Sequence, residues 1–438
     1  MKKLFPTPLV LLLLCFICFS ACAQQRLMEN LDRGLIAIPQ QDGSVAVSWR
    51  VLGTDPDALT FNLYRKTAAQ EPVKIYTAQP GDPSFFTDTQ VDLSKENTWY
   101  VTTTTNGKEE NQPGSYTLNA DAAQLPYHSV ALQTPEGYFP GDASVGDLDG
   151  DGEYEIILHQ MGKGHDNSHR GLTDAPILQA YKLDGTLLWE INLGKNIREG
   201  AHYTQFLVYD FDSDGKGELV CKTADGTTDA AGIVIGDPEA DWRDTDERSR
   251  TFGKILKGPE YLTVFDGETG KAVATTDYIP PRGDIGAWGG HGGNGKNDRT
   301  GNRVDRFTAC VAYLDGIHPS IVMGRGYYGR SVLAAFDFKN KKLQSRWVFD
   351  SENGDNPYSG QGNHNLSVAD VDDDGKDEII FGAMTVDDDG SGLYTTGFRH
   401  GDAIHVSDLD PEVPGLERFG IHEIEEGTKG PGVVLFSA

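Results

Sequence analysis

Apolar and polar residues alternate in short bursts along most of this chain, and the bursts fall into two regimes. Over residues 27–118, "GSVAVSWRV", "LTFNLYRK" and "TWYVTTTT" step between apolar and polar, with Gly, Asp and Pro between the runs. A period of two over a few residues puts alternate side chains on opposite faces of a strand. Several such strands in so short a stretch predict a small β-sandwich of the fibronectin-like kind. "NADAAQLPYHSV" breaks the pattern and reads as a linker.

From residue 127 to residue 438 a second pattern repeats. "ASVGDLDGDGEYEIILH", "FLVYDFDSDGKGELVCK" and "LSVADVDDDGKDEIIFG" each place an acidic turn between two apolar runs. Degraded copies surround Asp315 ("ACVAYLDGIHPSIVMG") and Asp408 ("IHVSDLDPEVPGLERFG"). Between copies lie hairpin-like phrases: "LQAYKLDGTLLWEINL", "LTVFDGETGKAVATTDY" and "LAAFDFKNKKLQSRWVF". One repeat is therefore strand, acidic loop, strand, hairpin: four strands. Four-stranded units in series predict a β-propeller, the fold class being all-β with the sandwich-like domain in front. About five repeats fit before Ala438, and the last phrase, "GPGVVLFSA", reads as the opening strand of another hairpin. Because a propeller closes its circle, the chain is expected to be truncated at its C-terminus. Uneven spacing, 63 residues from Asp147 to Asp210 but 160 from Asp210 to Asp370, implies long insertions. The Gly-rich "GGHGGNGKNDRTGNR" is the clearest of them.

The acidic turns carry the first chemistry. Asp147, Asp149 and Asp151 stand at alternate positions, as do Asp210, Asp212 and Asp214, and Asp370, Asp372 and Asp374. Three carboxylates on one side of a tight turn, with Gly for the bend, suit the hard Ca²⁺ ion. An EF-hand would need a bidentate Glu at position twelve, where this chain has Leu158, Cys221 and Phe381. The acid falls instead at position nine, as Glu155, Glu218 and Glu378, and a strand follows rather than a helix. These are calcium blade loops like those of integrin-type propellers. Their expected role is structural, because the chain holds 66 acidic against 38 basic residues, a net charge of −28. That charge excludes nucleic acid as a partner, since nucleic-acid binding needs a basic footprint.

Targeting changes the picture next. Lys2 and Lys3 precede "LVLLLLCFICF", and "SACAQQ" follows, so residues 1–23 read as a signal peptide with a cleavage site after Ala23. "FSAC" also resembles a bacterial lipobox, which would lipidate Cys22. Either way the protein is expected outside the cytoplasm: secreted, periplasmic or at the outer surface. No later apolar run is long enough to span a bilayer. Cys221 and Cys310 read as two buried thiols, a disulfide remaining open in an oxidising compartment.

Two of the eleven histidines share a phase. His364 in "GQGNHNLSVAD" and His400 in "FRHGDAIHVSDLD" each sit just before an acidic loop. Equivalent places on adjacent blades bring both imidazoles to one end of the propeller, which makes them candidates for an active-site metal or for substrate. No Ser-His-Asp signature, phosphate loop or Cys cluster appears. "GKGHDNSHRG", "EGAHYTQF" and "GRGYYGR" mix aromatic and polar residues in the way a sugar groove does, although Tyr203, Tyr327 and Tyr328 taken singly also suit a core.

Taken together, "ENLDRGLIAI", "GAHYTQFLVYDFDSDGKGELVCKTADGT", "GNRVDRF", "GRGYY", "GQGNHNLSVADVDDDGKDEIIFG" and "GDAIHVSDLDP" resemble the rhamnogalacturonan lyases of polysaccharide lyase family 11. The resemblance runs from Glu29 to the last residue. It implies an N-terminal β-sheet domain, an eight-bladed propeller with several bound Ca²⁺, and a monomer that cleaves the backbone of rhamnogalacturonan I, an acidic polysaccharide, by β-elimination. It also implies an active-site calcium associated with His364 and His400. The family's basic and tyrosine residues for proton transfer match positions beyond Ala438, so the resemblance names no catalytic base here. From another class, a non-catalytic, calcium-stabilised propeller binding glycan or a protein partner fits the same loops. A hydrolase using two carboxylates is a third reading.

Overall fold

In the computed structural model the chain is described over residues 26–123, 125, 127–289, 299–354, 356–424 and 432–438. His291 and most of the Gly-rich insertion lie outside these residues. Among them every regular element is a strand except one 3₁₀ turn, Ile285–Trp288.

The first two sheets form the sandwich. Ile36–Pro39, Val45–Ser48 and Phe85–Asp88 make one, and Val73–Ala78, Thr60–Thr67, Asn97–Thr105 and Lys108–Leu118 make the other. Alternation puts Ala37, Val45, Val47, Phe61, Leu63, Trp99 and Val101 between them, all buried. The indole N–H of Trp99 donates to the Asp88 carboxylate at 3.1 Å, so a polar edge inside this core is paired.

Five antiparallel sheets follow in chain order. Sheet I comprises Phe139–Gly146, Glu155–Met161, Ile177–Tyr181 and Leu187–Asn192, extended by Thr227–Thr228 and Val234–Ile235. Sheet II comprises Phe206–Tyr209, Glu218–Thr223, Tyr261–Phe265 and Ala272–Asp277. Sheet III comprises Phe307–Ala312, Ser320–Arg325, Val332–Lys339 and Lys342–Asp350. Sheet IV comprises Ser367–Ala369, Glu378–Phe381, Met384–Val386 and Gly392–Thr395, and sheet V comprises Gly401–Ser407, Glu417–His422 and Val433–Ser437.

The first strands of neighbouring sheets pack side by side, I to II, II to III, III to IV and IV to V. Apolar layers fill the gaps between sheets: Leu178, Ile191, Leu219 and Phe265 between I and II, Val220, Val264, Ile321 and Phe336 between II and III, Val322, Leu333, Ile379 and Phe381 between III and IV. The described residues do not close a ring. Phe139 and Val145 on sheet I, and Ile421, Val433 and Leu435 on sheet V, stand exposed. Cys221 and Cys310 are free and buried in sheets II and III.

Every first strand runs in one sense. It starts at the end that carries His364 and His400 and finishes in an acidic loop, so the two candidate chemistries occupy opposite ends of the sheets. A strap ahead of the sandwich crosses the acidic end. Arg26 forms a two-pronged pair with Asp377 (2.8 and 3.1 Å), the Leu27 N–H donates to Ile317 O, and the Asp32 N–H donates to Gly152 O. Between them the Leu27 carbonyl accepts from Tyr313, whose hydroxyl also meets that of Tyr209.

Near the opposite end, sheets II and III are joined by a buried ion cluster. Glu260 takes Arg325 at 2.6 Å, Arg282 at 3.0 Å and Lys222 at 3.2 Å. Burial alone would raise the Glu260 carboxyl; the three cations outweigh it and hold that carboxyl well below the usual range. Glu260→Gln strands three buried cations, so unfolding in denaturant is expected to show a loss of about 3–5 kcal/mol. A loss within experimental error would contradict this account.

Candidate functional site

The acidic loops share one construction. Asp147 accepts the N–H groups of Gly150, Asp151 and Gly152, Asp210 those of Asp214 and Gly215, and Asp370 those of Asp374 and Gly375. The fourth loop position takes positive φ, as Gly150, Ser213 and Asp373, and the sixth is always Gly. The glutamate heading the second strand ties the turn back: Glu155 accepts the Leu148 N–H, Glu218 that of Phe211 and Glu378 that of Val371, at 2.7–2.8 Å.

This folding gathers carboxylate oxygens to within 4.8 Å of one another: Asp147, Asp149 and Asp151; Asp210, Asp212 and Glu218; Asp370, Asp372 and Asp374. Asp374 and Glu378 form a further group with Asp388, which comes from the hairpin of the same sheet and was not singled out in the sequence. Asp214 stands apart and accepts the Lys216 N–H, and Glu155 lies outside the three-aspartate group of its loop. Asp315 is used up locally, on the N–H groups of Ile317 and His318 and on the His318 ring at 2.9 Å.

A divalent cation fits these groups. Asp149 Oδ1, Asp212 Oδ1 and Glu378 Oε1 are buried without a hydrogen-bond partner, an arrangement that costs several kcal/mol unless a cation answers it. Burial pushes Glu155 and Glu378 up to about 7 and Glu218 up to about 9, against the pull of their backbone N–H partners. The loops are not equivalent, however. The Lys182 ammonium enters loop I, 2.7 Å from Asp149 and 3.9 Å from Asp151 and Glu155, where it competes with any added cation.

The other end of the sheets holds the histidines. His364 and His400 lie just ahead of the first strands of sheets IV and V, with ring centroids 5.1 Å apart. Tyr327 and Tyr328, just past the second strand of sheet III, pack against both. Tyr327 stacks on His400 at 5.5 Å, and the Tyr328 hydroxyl is 3.2 Å from His364 Nε2. Gly362 lets this layer close up, since a Cβ there would stand 2.7 Å from Tyr327. Tyr203, by contrast, is a core residue.

His400 Nδ1 donates to Gly362 O at 2.8 Å, which leaves Nε2 as the lone-pair atom, buried and without a hydrogen-bond partner. His364 Nε2 lies 3.6 Å from Asp402, and ligand atoms of His364, His400 and Asp402 fall within 4.8 Å of one another. Burial pushes His400 down to about 3 and lowers His364, so both rings are neutral near pH 7, the form that ligates metals.

Five members of this constellation carry no expectation from the sequence, Asp402 among them. His202 stands 5.7 Å from His364, ring to ring, and 3.8 Å from Asp166. The Arg303 guanidinium lies over Tyr328 at 4.0 Å, and that of Arg306 at 5.5 Å. A signal for His202 existed, since it precedes Asp210 by eight residues as His400 precedes Asp408.

Residues 127–435 match the family model described as "Rhamnogalacturonan lyase family 11, C-terminal domain", and residues 26–118 match the "Rhamnogalacturonan I lyases beta-sheet domain". The chain belongs to rhamnogalacturonan lyase family 11. It is 51% identical over 429 residues to the rhamnogalacturonan exolyase YesX of Bacillus subtilis, covering 95% of this chain and 65% of that protein. It is 48% identical over 446 residues to the rhamnogalacturonan endolyase YesW of the same organism, covering 98% and 67%. The crystal structure of the exotype lyase YesX superposes with a TM-score of 0.83 over 95% of this chain and 66% of that one. A Bacillus licheniformis rhamnogalacturonan lyase gives 0.81 over 94% and 68%, at 49% identity. The chain thus spans about two thirds of the length of these family 11 relatives.

Two outcomes follow for this family 11 chain. A carboxyl whose pKa rises on folding stabilises the fold fully only below its unfolded value, 4.5, and that contribution is lost as pH climbs through the folded value. In chelator, the melting temperature is therefore expected to fall as pH rises from 5 to 9, through the folded values of about 7 and about 9. Excess Ca²⁺ should flatten that fall, and a pH-independent melt in chelator would contradict it. Lys182→Met is expected to tighten one cation-binding step by about tenfold in calorimetric titration while leaving the others in place.

Proposed function

We propose that this chain is a calcium-dependent rhamnogalacturonan lyase that cleaves the rhamnose–galacturonate backbone of rhamnogalacturonan I by β-elimination, with sheets I to V as blades of a β-propeller. The reading is carried by the convergence of His364, His400 and Asp402 at the end opposite the acidic loops, in a chain of this family.

The reaction passes the C5 proton of a galacturonate to a base, forms the C4=C5 double bond from the freed electron pair, and breaks the C4–O4 bond, O4 leaving with the rhamnose and taking up a proton. The C5 proton is weakly acidic because the neighbouring carboxylate is negative, and a divalent cation on that carboxylate withdraws charge from it. His364, His400 and Asp402 would hold that cation. Two nitrogens and one carboxylate are a short donor set for an ion that takes six to eight oxygens. The remaining places suit the substrate carboxylate and its hydroxyls.

Positioning falls to this chain's own groups. The Gly362 carbonyl fixes the tautomer of His400, and the Tyr328 hydroxyl steadies His364. Arg303 and Arg306 put positive charge beside the rings, where a chain of net charge −28 must receive a polyanion. In the acidic loops the same ion would act as a structural cross-link. The leader read in residues 1–23 agrees with a pectic substrate met outside the cell.

His364→Ala and His400→Ala are expected to lower release of unsaturated uronate, followed by its ultraviolet absorbance, by about a hundredfold or more, with melting temperature little changed. Loss of folding with unchanged activity per folded molecule would defeat the assignment. Retained polysaccharide binding without any absorbance change would favour a binding propeller, and reducing ends without absorbance a hydrolase.

A further inference from the structure

The layer between sheets IV and V is built differently from the other three. In sheets I, II and IV the residue after the loop-tying glutamate is Ile156, Leu219 or Ile379, and the last two lie at the heart of apolar layers. In sheet V the corresponding residue, after Glu417, is Arg418, and it is 0% exposed. Glu417 keeps the common role, accepting the N–H groups of Leu409 and Asp410 at 2.9 Å, so the register is secure and the arginine truly stands in an aliphatic place.

Among the described residues the Arg418 guanidinium has no counter-charge, only the Tyr394 hydroxyl and the face of Phe436 beside it. Its Nε, Nη1 and Nη2 are all buried without a hydrogen-bond partner. Its polar neighbours are unanswered too. The Tyr394 hydroxyl lies beside it, and Thr385, the cross-strand partner of Tyr394, shares the same face. The Tyr394 hydroxyl, the Thr385 hydroxyl and His422 Nε2 are all buried without a partner. His422 is 4% exposed, and its Nδ1 donates to Arg399 O at 2.9 Å. Aromatic rings complete the wall: Phe436 lies 5.2 Å from the guanidinium carbon, and Phe398 lies 5.7 Å from the His422 ring and 6.4 Å from Phe436.

A buried cation with several free donors and no counter-charge is strongly destabilising unless an anion joins it. A guanidinium offers a fork of N–H groups, and two hydroxyls can turn their protons inward beside it. The aromatic walls leave little room for a bulky, strongly hydrated anion. We propose that this layer holds a small monovalent inorganic anion of halide type, bound by Arg418 with Tyr394 and Thr385. The strand that carries Arg418 runs on to the candidate cation site: His422 is held by the carbonyl of Arg399, and the Glu423 N–H donates to His400 O. A bound anion would thus stiffen the segment that presents His400 and Asp402.

The test uses the whole chain at constant ionic strength and constant Ca²⁺. Replacing gluconate by bromide is expected to raise the melting temperature saturably by about 3 °C or more, and Arg418→Leu, which restores the aliphatic residue of the other sheets, should abolish that dependence. Should Arg418→Leu fail to fold, Tyr394→Phe keeps the charge, removes one donor and should raise the bromide midpoint by about tenfold. Crystals soaked in bromide should show an anomalous peak beside the Arg418 guanidinium. Density there without anomalous signal at saturating bromide means water only and overturns the proposal. A halide dependence that survives in Arg418→Leu, or an unmoved midpoint in Tyr394→Phe, overturns it as well.

Discussion

The structure turns on one recurring burial: a glutamate at the head of a sheet's second strand, one oxygen tied to its loop's backbone, the other shut away from water. Glu155, Glu218, Glu378 and Glu417 all make the tie, and in Glu378 and Glu417 the second oxygen is orphaned outright. Burial makes Glu155, Glu218 and Glu378 resist ionisation, and the aspartates around them add to the effect. A cation bound there, as proposed, would convert the same crowd of oxygens from a liability into a cross-link. The excess of acidic residues is thus concentrated where it can be neutralised, at one end of the sheets.

That polarity organises everything else. Each first strand has an acidic loop at one end and, in sheets II, IV and V, a histidine just ahead of the other. Six residues separate His364 from Asp370, about 20 Å at strand rise. The separation sets the acidic loops apart from the histidines, on whose side Arg303 and Arg306 gather.

Much of this was legible in the residues because the acidic turn is a local device. Its aspartates, glycines and following glutamate sit within nine positions, and their repetition set the register of five sheets. The phase of His364 and His400 relative to those turns put two rings at one place, now 5.1 Å apart. What escaped notice depends on distance along the chain or on brevity. Lys182 reaches loop I from the neighbouring hairpin, and Asp388 does the same in sheet IV. Ile36–Pro39 and Phe85–Asp88 are four-residue strands with too few alternations to stand out. Arg303 ends the Gly-rich insertion and Arg306 follows it, which hides their phase. Arg418 went unremarked, because nothing local distinguishes a buried arginine from an exposed one.

The strap from Arg26 to Asp32 bears on how such a chain can be taken apart. It touches sheets IV, III and I before the polypeptide has built its sandwich, and Arg26 meets a partner 351 positions away. Topologically the sandwich is a long excursion between two visits to the same surface. The gap between residues 118 and 127, where the two sequence families meet, is therefore a boundary of ancestry and not of mechanics. A piece excised there would leave its own clasp behind, so the halves are poor cassettes for exchange between relatives unless the clasp travels with the sheets it fastens.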